Sequence, residues 1–575
     1  MTTNDKVKVM LDDARGRLLS MRRADGMWEG ALSSSAISTS VSVFALYLID
    51  KDEYEGEITR GVEWLIRTMH EDGSWGDSVE SPSNMTATLL AYTSLYALGK
   101  APEESRNYLK EKFGGVDEER IVRGVLDYYG SDLTFSVPIL IMCALAGVIG
   151  SWKKIPVFPF ELAVLPQRLF RFLNLPVVSY AIPALIAVGI LQYRKRGNKM
   201  KVLREPFVRR TLDRLIILQP EDGGFLEAAP LTAFCSMCLC AAGYRDHVVT
   251  QKAASFLRDT VREDGAWPID TNLASWVTAL SAIALGDDIS DRQALADVIK
   301  GNQTKMVHPF TGAPRGGWGW TNLSGSVPDG DDTSGALVAL YTLTHGTYSD
   351  EVGHGLEWLM ALQNNDGGMP TFCKGWGKLP FDRSSPDITA HAVLAMGLWK
   401  DRLTGKLKER CQHSLERMYQ WLEAHRNSCG DWTPLWFGDQ DAKDEKNPVY
   451  GTATLMDYLY TLQDQRAKGL ADGGRDFLRR TQNADGGWGG NAEVNSKVTL
   501  TAKAVAALAG ANDPHLDECI DKGIDYLYNR YTDGTLYDRE PIGLYFARLW
   551  YSEELYNLTY LVKALKRVER LELRG

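Results

Sequence analysis

A turn that keeps returning, glycine followed two residues on by an aromatic, constrains this chain of 575 residues more than any other feature. It reads Asp25-Gly26-Met27-Trp28, Asp72-Gly73-Ser74-Trp75, Asp222-Gly223-Gly224-Phe225 and Asp264-Gly265-Ala266-Trp267. It continues as Gly316-Gly317-Trp318, Asp366-Gly367-Gly368-Met369, Gly430-Asp431-Trp432 and Asp485-Gly486-Gly487-Trp488. Five of the seven steps between successive copies run from 42 to 56 residues, the length of one helix pair. Gln219, Gln363 and Gln482 close the helix before three of the copies. Glycine permits a tight turn, and the aromatic can lie over the end of a neighbouring helix. Strand-like alternation is scarce. The chain therefore reads as all-α, with helix hairpins stacked and closed into barrels.

Charge and cysteine usage narrow the class. A formal net charge of −10 argues against a general nucleic-acid binder, which would carry a basic excess. The start, Met1-Thr2-Thr3-Asn4-Asp5-Lys6, lacks the apolar core of a secretory signal. Eight scattered cysteines suggest free thiols in a reducing cytosol. Cys235, Cys238 and Cys240 lie in an apolar helical run without a partner pair, which favours core packing over zinc.

The one wide gap in the repeat, between Trp75 and Phe225, holds the most apolar part of the chain, residues 134–192. The runs Thr134 to Gly150 and Leu173 to Leu191 are near the length of a membrane span, but both contain proline and both suit buried helices, the preferred reading. Basic residues follow: Arg194, Lys195, Arg196, Lys199, Lys201 and Arg204. Two readings stand for them, a solvated loop or attraction to anionic lipid beside an exposed apolar patch.

The candidate chemistry lies in Pro328-Asp329-Gly330-Asp331-Asp332-Thr333-Ser334-Gly335, just before an apolar helix. Asp is a good N-cap and a favourable charge at a helix start, which is the bland reading. One carboxylate would meet that need. Three crowded together repel, and repulsion with burial raises at least one pKa, making a candidate Brønsted acid. Further on, Asp387 and His391 share a helix face at i, i+4 and come one repeat after the aspartates. Inner helices of neighbouring hairpins would bring these groups together.

Taken together, the Gln…Gly-x-Trp repeats, the Asp-x-Asp-Asp-Thr string ending in Ser334 and the Asp387-x-Thr389-Ala390-His391 segment resemble the squalene-hopene cyclases, the class II triterpene cyclases of bacteria. The resemblance covers nearly the whole chain. It implies two α/α barrels (toroids) in a dumbbell, residues 32–253 forming one inserted into the other, which consists of 1–31 and 254–575. It implies that Asp331 protonates a terminal alkene of squalene or a related linear polyprenoid, with Asp329 and Asp332 beside it. His391, held by Asp387, would hydrogen-bond Asp331, and Tyr450 would help return a proton through water. Trp320, Phe372, Trp436 and Tyr180 would line a π-rich cavity that steadies the carbocation, each face contributing ~0.5–2 kcal/mol. Ile269 stands where hopene-forming relatives carry a cavity tryptophan. Leu544 and Arg548 fall near positions that are aromatic in those relatives. No metal and no other cofactor is implied. The implied partners are the polyprenoid, a membrane surface at the cytoplasmic face and a second copy of the chain; nucleic acid is not among them. The implied product is a hopanoid-like triterpene.

Rival readings are weaker. A protein prenyltransferase β-subunit would need histidine after Asp517-Glu518-Cys519, and none follows. An ionisation-initiated synthase would need Asp-Asp-x-x-Asp, but Asp331-Asp332 is followed by Thr333, Ser334 and Gly335. A diterpene or meroterpenoid cyclase with the same acid remains as the alternative enzyme. A non-enzymatic α/α toroid used for binding leaves three adjacent aspartates unexplained.

Overall fold

The computed structural model describes residues 1–130, 133–165, 182–196, 201–309, 312–372, 382–462, 464–544 and 548–572. Helices dominate, and they fall into two rings. In the first, Ala36–Asp50, Met85–Ala97, Leu133–Leu145, Ile182–Arg196 and Ala229–Ala241 pack side to side, the last closing back on the first. These inner helices are apolar nearly all round, because the ring covers every face. Amphipathic helices such as Glu55–Arg67 and Val248–Asp259 lie outside them, one apolar stripe inward.

The second ring has inner helices Ala274–Leu285, Gly330–Thr344, Pro386–Trp399, Pro448–Thr461, Val498–Ala511 and Tyr556–Glu572, and the last again meets the first. The N-terminal helix Thr3–Ser20 belongs here, packed on Tyr556–Glu572 and Asp517–Thr532. The chain enters the first ring at Ser34–Ser35 and leaves it at Trp267–Pro268. These crossing segments pair antiparallel, Ser34 opposite Pro268 and Ser35 opposite Trp267. A division between 253 and 254 would cut the helix Val248–Asp259, which packs whole on the first ring; the return crossing comes later. A small antiparallel sheet of Phe437–Gly438, Ile542–Leu544 and Leu549–Tyr551 edges the space between the rings.

The recurring turn is the joint of this architecture. In each copy the backbone N–H of the last residue donates to a threonine Oγ1 in the first turns of an inner helix: Trp75 to Thr88, Trp318 to Thr333, Met369 to Thr389, Trp488 to Thr501. The indole N–H meanwhile donates to the end of the preceding outer helix, as Trp488 Nε1 does to the Leu478 carbonyl at 2.7 Å. Trp28 and Trp267 make the same bonds at the crossings, but to inner helices far away in sequence. Trp28 docks on Thr278 of the second ring and Trp267 on Thr39 of the first. Glycine is required where the turn meets its neighbour. Gly265 has φ +92°, and a Cβ there would sit 2.7 Å from the Arg60 carbonyl oxygen. Each glutamine amide bridges two carbonyls, Gln482 those of Gly486 and Cys519, which ties one outer helix to the next.

The described parts of the two apolar runs are ring helices, residues 173–181 of the second lying outside the described residues. Leu133–Leu145 and Ile182–Arg196 are buried along most of their length, and among the described residues no helix is long and apolar enough to cross a membrane. Three members of the basic cluster are committed internally. Arg194 pairs with Glu205, Arg196 donates to the carbonyls of Trp152 and Ile155, and Arg204 pairs with Glu161. Lys199 and the side chain of Lys201 lie outside the described residues.

Candidate active site

Asp329 ends a loop and caps the helix Gly330–Thr344, its Oδ1 accepting from the N–H groups of Asp331 and Asp332 at 2.8 Å each. The capping reading therefore holds for one aspartate of the three. Burial pushes the Asp329 carboxyl up to about 7. Burial, then the Asp329 charge, drives Asp332 well above the usual carboxylate range, and the two side chains share a hydrogen bond. A pair in which Asp332 keeps its proton and donates to Asp329 satisfies both groups without two buried charges.

All three aspartates border open space, and Asp331 is the most open of them, its side chain 22% exposed. It lines a cavity of about 350 Å³ walled by both rings. From the first ring come Ile37, Leu90, Phe135 and Phe234, and from the second Trp276, Trp320, Phe372, Trp436 and Tyr551. On its other side Asp331 Oδ1 lies 2.6 Å from Nδ1 of His391, which is 1% exposed. The apposition arises from ring order: Gly330–Thr344 and Pro386–Trp399 are adjacent inner helices, and both residues sit near their helix starts.

Asp387 does not hold His391. Its carboxylate accepts from Ser385 Oγ, and burial pushes it up to about 6. Ser385 precedes Asp387 at the helix start, so the local hydroxyl reaches it first. His391 is set instead by Tyr458, whose ring stacks on it at 4.5 Å between centroids, and by Trp276 edge-on at 6.1 Å. Sequence reasoning missed both. The signal for Tyr458 was its place two turns after Tyr450 on the helix Pro448–Thr461. Tyr450 itself is buried, packed on Phe437 at 4.8 Å and capped by the ammonium of Lys503 at 4.3 Å, behind the acid rather than on the cavity wall.

The expected aromatics come together. Trp320, Phe372 and Trp436 form a continuous edge-to-face run, with centroids 6.0 Å and then 5.0 Å apart. Ile269 lines the same cavity and brings bulk without a π-face. Leu544 pairs with Phe437 in the small sheet, and its side chain lies outside the described residues, as does all of Tyr180. Arg548 reaches the cavity wall, close to Glu445 at 3.8 Å and over the ring of Tyr128. Two further acids were missed. Asp270 lines the cavity, and burial with the charge of Glu227 holds it well above the usual range. Glu227, pushed up to about 7 by burial, accepts from Thr321 Oγ1 and the Gly325 N–H, and so anchors the loop leading to Asp329.

Among the described residues no three His, Cys, Asp or Glu side chains gather as metal ligands. Cys235 and Cys238 are buried free thiols in a ring helix, and burial raises both. The arrangement suits one kind of chemistry. A proton leaves a carboxyl whose conjugate base has a histidine waiting, and it enters a dry, aromatic-walled cavity where a cation would be stabilised by ring faces.

Comparison with known proteins gives the family of the chain. The family model described as squalene-hopene cyclase C-terminal domain matches residues 310–570, and the one described as squalene-hopene cyclase N-terminal domain matches 11–121. A probable squalene-hopene cyclase of Sinorhizobium fredii is 22% identical over 93% of this chain and 92% of its own length. Enfumafungin synthase of Hormonema carpetanum is 25% identical over 90% of this chain, which spans only 46% of that longer protein. The solved ent-copalyl diphosphate synthase from Streptomyces platensis superposes over the full length of both chains with a TM-score of 0.52 at 16% identity, a likeness of fold.

Proposed function

The chain belongs to the squalene-hopene cyclase family, class II terpene cyclases, and from that membership we propose that it protonates a terminal alkene of squalene, or of a related linear polyprenoid, and closes it into a polycyclic, hopanoid-like triterpene. One observation carries the reading: Asp331 stands on the wall of an apolar, aromatic cavity with His391 at 2.6 Å behind it. Protonating an unactivated C=C needs a strong acid whose conjugate base is stabilised at once. With Nδ1 protonated, His391 donates to Asp331 Oδ1, which leaves Oδ2 to carry the proton that is given away. The Asp329–Asp332 pair fixes the start of the helix and keeps the neighbouring charge low. The cation formed in the chain then migrates past Trp320, Phe372 and Trp436 as rings close, and the dry wall delays its capture by water.

A second substrate class rests on Arg548. Its guanidinium on the cavity wall suits an anionic head on a shorter prenyl chain, as a diterpene or meroterpenoid cyclase would bind. Glu445 already offsets that charge, so squalene is the better reading. Incubating the purified protein with squalene and with shorter polyprenoids, then identifying products by mass spectrometry, separates the two. Cyclised C30 product supports the first; turnover of only the anionic chains overturns it.

We assign the stretch between the crossing strands to the inserted barrel and the remainder to the catalytic one. We also place the protein on the cytoplasmic face of a membrane as a peripheral, monotopic binder. The substrate is insoluble in water, Val157 is exposed in the apolar part of the first ring, and Ile216 and Ile217 are exposed on the helix Lys201–Leu218 that follows it. Flotation with liposomes tests this, and failure to bind anionic or neutral vesicles would remove it.

A further inference from the structure

Among the described residues, Lys503 is the one buried lysine that the proposed chemistry leaves without a task. It lies mid-helix in Val498–Ala511, 9% exposed, where an ammonium is costly unless it is used or paired. Among the described residues no carboxylate pairs with it directly. Its Nζ donates to Thr454 Oγ1 at 3.2 Å and sits between two aromatic faces, 3.9 Å from the Tyr560 ring centroid and 4.3 Å from that of Tyr450.

Lys503 and His391 line one small cavity, about 30 Å³, together with Thr454, Asp457, Tyr458 and Lys563. A water needs about 10–15 Å³ by that measure, so the space suits a bridging molecule. The cavity lies behind the acid, opposite the apolar one: His391 meets Asp331 through Nδ1, while its Nε2 is buried and makes no hydrogen bond to the described residues. A neutral imidazole with its proton on Nδ1 presents a lone pair at Nε2, which is an acceptor awaiting a donor.

The far end of the cavity leads outward. Asp457 pairs with Lys563 and with Arg567 at 2.9 Å, and the side chains of Lys563 and Arg567 are 22% and 17% exposed. A line of protonatable groups thus runs from the surface through Asp457 and Lys563 to Lys503, His391 and Asp331.

We propose that Lys503 returns the proton to Asp331 through His391 after each turnover. The inference rests on the reading of Asp331 as the acid. The proton balance closes. Asp331 gives a proton to the alkene and is left as carboxylate. The ammonium of Lys503, through a water, protonates Nε2 of His391 as the Nδ1 proton passes to Asp331; this leaves the neutral Nε2–H tautomer, and a turn of the imidazole ring with exchange through the same water restores the Nδ1–H donor before the next cycle. Lys503, now a neutral amine, regains a proton from solvent along the Asp457–Lys563 line, matching the proton lost when the terminal cation is quenched. Lys503 touches no substrate, so it is a positioning residue that acts through His391.

The electrostatics suit a donor of this kind. Burial, then the charge of Lys563, holds the amine down to about 7, against the opposing pull of Asp457, Asp331 and Asp387. Such an amine gains and loses a proton near neutrality, as a buried lysine used for proton transfer must.

The test separates the first turnover from the steady state, using the full-length protein and dispersed squalene. In the resting enzyme Asp331 has had time to equilibrate, so a recharging residue matters only from the second turnover on. Lys503→Met is expected to complete a first turnover, with enzyme in excess, within about threefold of the wild-type rate, because single-turnover kinetics isolate the chemistry. Its steady-state kcat is expected to fall roughly 10²-fold, the usual scale for losing a positioned proton donor. Lys503→Arg keeps a charge that cannot be given up, and is expected to recycle as poorly as the methionine variant. Equal losses in both regimes would mean a structural or tuning role and overturn the relay. Full steady-state activity in Lys503→Met, or recovery in Lys503→Arg, would overturn it too. A wild-type protein that yields no cyclised product even in the first turnover would overturn the reading of Asp331, and the relay with it.

Discussion

Ile269→Trp places an indole where the cavity now has only an aliphatic wall. Ile269 is 9% exposed, lines the cavity beside Asp270 and Leu273, and faces the same space as Trp276 and Trp320. An indole there projects into about 350 Å³ of open cavity, so the overpacking cost of about 1–3 kcal/mol seen in close-packed cores does not apply in full. The gain is one cation–π face, worth ~1 kcal/mol to a cation at that depth. Since 1.36 kcal/mol is tenfold, that shifts the competition between further ring closure and early proton loss by roughly five-fold. The wild-type protein is therefore expected to release incompletely cyclised or differently folded polycycles beside, or instead of, pentacyclic hopene. Ile269→Trp should move the ratio toward the more fully closed products. Gas chromatography with mass spectrometry on squalene incubations reads the ratio directly. Pure hopene from the wild-type protein, or an unchanged ratio in an active Ile269→Trp variant, would refute the reasoning.

Other substitutions probe the remaining joints. His391→Phe removes the group that stabilises the Asp331 carboxylate, and kcat on squalene should drop roughly 10²–10³-fold with the fold retained. Asp387 is a test of linkage: its folded carboxyl lies at about 6, above the roughly 3.9 of an unfolded chain, so the folded state holds a proton the unfolded state has released. Stability should therefore fall as pH climbs from about 4 to about 6 and level off above, and Asp387→Asn should remove roughly 2–3 kcal/mol of that fall. Melting temperatures of both proteins between pH 4 and 8 check it; parallel curves would contradict it. Trp488→Phe keeps most of the apolar packing but strands the Leu478 carbonyl, and should cost about 1–3 kcal/mol, seen as a lower melting temperature.

Much of this was legible because the chemistry is local. The glycine-aromatic turn announces itself, since its glycines need positive φ and its indoles need a carbonyl ten residues back. The aspartate string and Asp387…His391 were readable for the same reason. Gln303 escaped: it makes the same two-carbonyl bridge, to Gly316 and Glu351, but thirteen residues before its glycine instead of four, because a longer loop intervenes. The partners of His391 were also hidden. Tyr458 and Lys503 reach it from helices one and two places along the ring, and ring closure is a tertiary fact with no trace in local spacing. The i, i+4 relation of Asp387 and His391 misled for a related reason: a shared face permits contact, but Ser385 lay closer to hand.

The central claim is that Asp331 donates the proton, and Asp331→Asn tests it most directly. The amide keeps the size of the side chain and can still accept from His391 Nδ1, while the acidic proton is gone. The measurement is product formation from squalene by the purified variant, with circular dichroism and a melting curve to establish the fold. The account predicts a folded protein that forms no cyclised product; cyclisation at close to the wild-type rate would contradict it.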